Sequence, residues 1–264
     1  MVRVIVNADD FGKSIERNQA IDKAFKKGMI SSIGTIVTGV YLQDAINQAV
    51  DGGYLDRLHL HFNFAANSMQ ENSEDAPLTE AMKKDSFFCK EGKFLRYKKL
   101  PYRLSGIRKC GVVYKEMVAQ YNYFKKITDG KADYKHIDFH LWYNLTWPVA
   151  IALNLFTWKY KIDSVRYWCV SFWKKNKYKI FRILSWNPQV KSFPACSIYY
   201  YLTKRQSLLK YPVVELFCHP NYKDGEFIDD TPSYLYKDRR SMQLNFTELK
   251  ALDSIEFISW EDSF

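Results

Sequence analysis

Apolar and polar positions follow two alternating periods along the first sixty residues of the chain. Val2-Arg3-Val4-Ile5-Val6 is a β-branched run that predicts a buried strand, and it ends at the polar cluster Asn7-Ala8-Asp9-Asp10-Phe11-Gly12, read as a loop. Ser14 is an N-cap candidate; Ile15 to Lys27 follows with amphipathic helical spacing, and Gly28 closes it. Ile33 to Val40 is a second apolar β-branched run. Gln43 to Val50 reads as a helix stopped by Gly52-Gly53, and Leu58 to Phe64 alternates as a third strand. Strand and helix in alternation with short connections predict a parallel sheet with helical crossovers, in an open or barrel form.

The pattern dissolves from Ala65 to about Lys109, where polar, basic and proline-containing sequence predicts a long excursion over a site. Cys110 to Asp129 resumes as a helix, and Tyr134 to Trp142 as a strand. Ser164-Val165-Arg166 and Val213 to Phe217 are the next strand candidates. Trp168 to Leu209 is rich in aromatics and lysines and has no clear period. Arg239 to Ser254 reads as a final helix, followed by the short strand Ile255-Glu256-Phe257-Ile258. No internal repeat, linker or low-complexity tract interrupts this order, so one domain is expected over 1–264, with 65–109 and 168–209 as excursions.

Composition narrows the class. The chain has 264 residues, and 39 Lys+Arg against 29 Asp+Glu give a net charge of +10. With 26% charged and 17% aromatic residues it is neither disordered nor fibrous. No stretch reaches the roughly 18 uncharged apolar residues of a spanning helix. The start runs directly into a strand pattern without signal-peptide architecture. Five scattered cysteines, without CxxC spacing, suggest reduced thiols in a cytoplasmic protein.

The five histidines fall in three short segments, each on or beside a predicted strand. Functional groups in parallel α/β folds collect at the carboxyl ends of strands, which is where Asp9 and Asp10 stand. Adjacent carboxylates repel unless a cation or proton lies between them, so one can hold a metal while its neighbour takes a proton. His59, His61 and Asn63 share one strand face. The two histidines are roughly 7 Å apart along it, so one metal takes one of them. His136, Asp138 and His140 share a face in the same way, and His140, nearer the carboxyl end, is the better ligand. His136 is then a structural or supporting residue. His219, held by Pro220 at another strand end, suits a general acid. Cys218 sits in an apolar run and reads as a buried, inert thiol. One Asp and two His with open positions form the ligand set of a hydrolytic metal site.

These motifs, in this order and spacing, resemble the YdjC-like (ChbG-type) carbohydrate deacetylase family. Asn7-Ala8-Asp9-Asp10-Phe11-Gly12 is similar to its opening signature, His61-Phe62-Asn63-Phe64 to its His-Leu-Asn-Leu segment, His136-Ile137-Asp138-Phe139-His140 to its His-Leu-Asp-Ser-His, and Cys218-His219-Pro220 to its Cys-His-Pro. The resemblance implies a (β/α) barrel-like fold with a metal site at the strand carboxyl ends, and hydrolysis of an N-acetyl group from an amino sugar or glycan. It implies that Asp10, His61 and His140 bind one divalent metal, magnesium or zinc. Asp9 would be the general base and His219 the acid. Arg166 resembles a family arginine near the sugar, and Trp142 offers a stacking face. Asn7, His59, His136 and Asp138 are the supporting neighbours. Phe139 stands where serine is usual, and 65–109 and 168–209 show little resemblance, so the substrate pocket does not carry over.

Two alternatives stand beside this reading. One is a non-catalytic binder of anionic glycan or membrane surface, acting through the basic tract Trp173-Lys174-Lys175-Asn176-Lys177-Tyr178-Lys179. The other is a metal-dependent hydrolase of a non-sugar substrate. The basic tract also suggests peripheral membrane contact and a lipid-linked glycan as substrate. A homodimer is a further expectation; no nucleic-acid partner is expected.

Overall fold

The computed structural model describes residues 1–66, 74–95, 104–141, 146–166, 183, 187–231, 240–253 and 255–263. In chain order the elements are β1 (Val2–Phe11), α1 (Ile15–Lys26), β2 (Ser32–Thr35), α2 (Leu42–Asp51), β3 (Leu58–Phe62), α3 (Glu80–Lys83), β4 (Cys89–Lys90) and β5 (Lys93–Phe94). Then follow α4 (Cys110–Ile127), β6 (Asp133–Phe139), α5 (Trp147–Tyr160), β7 (Ser164–Val165), β8 (Ala195–Ser197), the helix Ile198–Lys204 and β9 (Val213–Cys218). The chain closes with β10 (Pro220–Lys223), β11 (Glu226–Asp229), β12 (Arg240–Ser241), the helix Met242–Lys250 and β13 (Ile255–Phe257).

The main sheet runs in the order β7-β6-β3-β2-β1-β9-β8, with β13 beside the start of β1, and every pairing in it is parallel. The sheet curls. Lys191, just before β8, forms a parallel bridge to Ser164 of β7, through which the two edges approach among the described residues. This is the expected barrel-like α/β architecture. Side chains alternate between the two faces, as a strand period of two requires. Val4, Val6 and Ala8 of β1, Leu58, Leu60 and Phe62 of β3, and Val214 and Leu216 of β9 join α1, α2 and α4 in the main apolar core. Ile5, Asn7, Asp9, His59, His61, His136, Asp138 and Glu215 take the other face, inside the curl.

The bottom of that interior is apolar. Ile5, Val213, Ile258 and Trp260 form a small cluster of their own, with Phe193 packed on it. The C-terminal segment is held there by the Ile258 N–H donating to the Val4 carbonyl at 3.0 Å. The polar side chains therefore lie towards the carboxyl ends of the strands.

Several expectations are corrected. The first strand does not stop at Val6 but continues to Phe11, because β9 pairs with it as far as Ala8 and β2 as far as Phe11. The Ile33 to Val40 run is strand only to Thr35 and then turns at Gly39. The excursion after Ala65 carries α3 and the β4–β5 hairpin. It is tied down by Glu116 of α4, a fully buried carboxylate that accepts from the N–H groups of Leu78 and Thr79 at 2.9 Å each. Helix α5 is not in the sequence expectation: Val149, Ala150, Ala152, Leu153 and Phe156 are buried, while Leu155 and Trp158 are exposed, so no polar face marks its period. The hairpin β10–β11 and the helix Ile198–Lys204 were likewise unmarked. The basic tract 173–179 and Trp142 lie outside the described residues. Among the described residues, no helix is long and apolar enough to cross a membrane.

Candidate metal centre and acid–base pair

The site starts with a defect in β1. Between Ala8, which pairs with Ile33, and Phe11, which pairs with Thr35, β1 carries one more residue than β2, and Asp10 has φ 74°. Consecutive residues of a regular strand face opposite ways. The bulge turns Asp10 back, so Asp9 and Asp10 are both buried in the interior. Gly12 follows at φ 98°, where a Cβ would meet the Ile36 carbonyl oxygen at 2.9 Å. Ser14 then caps α1 by accepting from the Arg17 N–H.

Asp10, His61 and His140 converge, with one ligand atom of each within 4.8 Å of the others. Asp10 Oδ1 lies 2.8 Å from His140 Nδ1 and 3.5 Å from His61 Nε2. Lys13 adds a fourth group: its Nζ is 3.2 Å from Asp10 Oδ2 and 3.4 Å from His140 Nε2. Burial opposes ionisation of the Asp10 carboxyl, but Lys13 and His140 prevail and hold it well below the usual carboxylate range. Burial and the neighbouring Lys13 ammonium push His140 down to about 4, so its imidazole is neutral. Burial would lower His61 too, yet Asp138 and Asp9 overcome it and raise that group to about 10. His61 thus holds a proton in an acidic pocket, and this proton must leave before the ring can ligate a metal.

One arginine organises the carboxylates beneath. Arg166, just past β7, donates from Nη1 to Asp9 Oδ2 at 2.7 Å and from Nη2 to Asp9 Oδ1 at 2.9 Å. Its Nε donates to Glu215 Oε1 at 2.6 Å, and Nη2 lies 2.7 Å from Asp138 Oδ2. Asp138 Oδ1 in turn meets His61 Nδ1 at 2.5 Å, which fixes the ring and leaves Nε2 towards Asp10. Asn7 Nδ2 donates to Asp9 at 2.6 Å. His219 faces this group across the interior, with Nε2 3.9 Å from Asp9 Oδ2. Its Nδ1 lies 3.0 Å from the Thr231 hydroxyl, which itself donates to Asp229 and so accepts from His219. Burial lowers the His219 pKa. Cys218, beside it, is fully buried and its thiol is raised well above the ordinary value, as an inert thiol should be.

One layer down, His59 Nδ1 lies 3.0 Å from Ser32 Oγ, and His136 Nδ1 lies 2.7 Å from Ser164 Oγ. His136 stacks on Trp260 with ring centroids 3.5 Å apart. With Asp138 these two rings form another group of potential ligands. That group lies a layer further from the strand carboxyl ends, where functional groups collect, so the Asp10, His61 and His140 group is the better cation site.

A model of the family described as YdjC-like protein matches residues 3–261. The chain belongs to the YdjC-like family. A carbohydrate deacetylase of Danio rerio is 32% identical over 142 residues, which are 53% of this chain and 41% of that protein. The chain thus spans less than half the length of that curated relative. The crystal structure of an Enterococcus faecalis protein named for cellobiose-phosphate cleavage aligns with TM-score 0.62 at 20% identity, over 84% of this chain and 82% of that one, and shares the fold.

Of the residues singled out in this YdjC-like sequence, the structure brings together Asn7, Asp9, Asp10, His61, Asp138, His140, Arg166 and His219, and places His59 and His136 below them. The guanidinium of Arg166, expected near the sugar, meets Asp9, Asp138 and Glu215, and the residue is 2% exposed. Two residues escaped the sequence reading. Glu215 had a signal, a single carboxylate inside the apolar run Val213 to Phe217, which requires a buried counter-charge. Lys13 had none beyond lying three residues after Asp10.

Proposed function

We propose that this chain is a metal-dependent hydrolase that removes the N-acetyl group from an acetylated amino sugar or glycan. The observation that carries the reading is the buried Asp10, His61 and His140 donor set beside a carboxylate, Asp9, that faces His219 at 3.9 Å. The donor set fits a divalent cation: two imidazoles and one carboxylate suit zinc, and the carboxylate with water suits magnesium. When bound, such an ion supplies Lewis-acid polarisation of the acetyl carbonyl and a water of lowered pKa.

The chain's own residues do the rest. Asp9 accepts the proton of the attacking water. Arg166 and Asn7 hold its carboxylate in place, so it is aimed before substrate arrives. His219, once protonated at Nε2, donates to the departing amine, and Thr231 keeps the ring turned for that transfer. Asp138 orients His61. The Danio rerio relative's name and the family support a sugar amide as substrate. Trp142 is assigned a stacking role on the sugar by its place just after His140 in the sequence. The test is a screen of acetate release from N-acetylated amino sugars and oligosaccharides by metal-stripped protein with zinc or magnesium restored. Release that depends on added metal and disappears in Asp10→Asn is the expected result. Equal turnover by stripped protein would overturn the reading.

A further inference from the structure

The cation nearest the proposed metal ligands is one that the chain itself supplies. The Lys13 side chain is 5% exposed, and its ammonium touches both Asp10 and His140. A lysine is buried in this way only when its charge is matched, and Asp10 matches it. Its position is set by the turn at Gly12, where the Lys13 N–H donates to the Asp10 carbonyl at 3.3 Å.

The chemistry of one imidazole makes this contact consequential. A neutral imidazole has one N–H and one lone pair. The Asp10 carboxylate only accepts, so His140 presents Nδ1–H to it and the lone pair sits at Nε2, where Lys13 donates. A metal-ligating histidine gives its lone pair to the metal and carries its proton on the other nitrogen. A metal taken at Nε2 replaces the ammonium. A metal taken at Nδ1 moves the proton to Nε2, where it confronts the ammonium's own N–H groups. Both routes break the Lys13–His140 contact, and in both the metal competes with Lys13 for the charge of Asp10.

Resting on the metal reading above, we propose that Lys13 is an internal counter-ion to the Asp10, His61 and His140 donor set, one that must withdraw as a divalent ion binds and so sets the metal affinity. The test is calorimetric titration of metal-stripped wild type, Lys13→Met and Lys13→Gln with zinc and with magnesium, together with thermal unfolding before and after zinc. Lys13→Met is expected to bind zinc about tenfold more tightly or better, the scale of one hydrogen bond to a charged group, with Lys13→Gln between it and wild type. Its metal-free Tm falls and its Tm rise on adding zinc grows. His61→Ala, taking up no zinc, locates the signal at this site. Zinc binding by wild type with equal or weaker binding by folded Lys13→Met overturns the proposal and leaves the metal reading standing. Absence of binding by every form overturns both.

Discussion

Through Nδ1, His61 and His140 meet carboxylates near the strand ends, whereas His59 and His136, one layer below, meet serine hydroxyls, and His136 stacks on Trp260. All four are fully buried. Burial alone therefore does not separate a ligand from a structural histidine. What separates them is the partner of Nδ1, since His59 Nε2 also lies 3.3 Å from Asp138 Oδ2. Asp138 ties His61 into a pocket with net negative side chains, whereas burial and the neighbouring His59 hold His136 neutral.

The largest expected effect tests this division directly. His61→Ala should abolish zinc uptake and reduce acetate release by about a thousandfold or more, whereas His136→Ala should keep zinc stoichiometry and lose about 2 kcal/mol or more of stability. Metal analysis and urea unfolding of both variants check it, and loss of zinc in His136→Ala would collapse the two layers into one. Asp9→Asn comes next: the acceptor is gone but the Asp10 site is intact, so kcat should fall by about a hundredfold or more while zinc affinity stays close to wild type. The third contrast is pH. His61 holds its proton up to about 10, above the ordinary histidine value, so it stabilises the metal-free fold fully below about 6.5 and loses that contribution as pH rises towards 10. His136 is depressed and acts in the opposite sense, its contribution lost as pH falls below about 6.5. Urea midpoints of stripped protein across this range should decline on the alkaline side, and His61→Gln should flatten that limb. The smallest effect is Gly34→Ala. Its Cβ would sit 3.3 Å from His59 Nε2 and from His61 Cβ and Nδ1, pressing on both layers at once. A loss of about 1 kcal/mol is expected by urea unfolding, with zinc binding weakened only slightly.

Much of this was legible in the sequence because the strand period is two. His59, His61, His136, Asp138 and His140 declare a shared face by spacing alone, and the alternation of strands and helices declares a parallel sheet. The bulge at Asp10 was not legible, since nothing in Asp9-Asp10 says that one strand will carry an extra residue. Arg166 was visible through family resemblance, but its three carboxylate partners lie 157, 28 and 49 residues away in the chain, separations that no local pattern encodes. Helix α5 was hidden for the reverse reason, an excess of apolar residues that erased the period.

Among the described residues, the curled sheet meets at a weak seam, the bridge from Ser164 to Lys191. Arg166 stands immediately beyond that seam on one side, and Glu215 on β9 lies beyond β8 on the other. Their ion pair buckles the barrel like a clasp. The same guanidinium grips Asp9, so the mechanical closure of the fold and the aim of its proposed base share one side chain. Amide hydrogens along β7 and β8 should exchange before those of β1 and β3, and a ligand that steadies Asp9 should slow them.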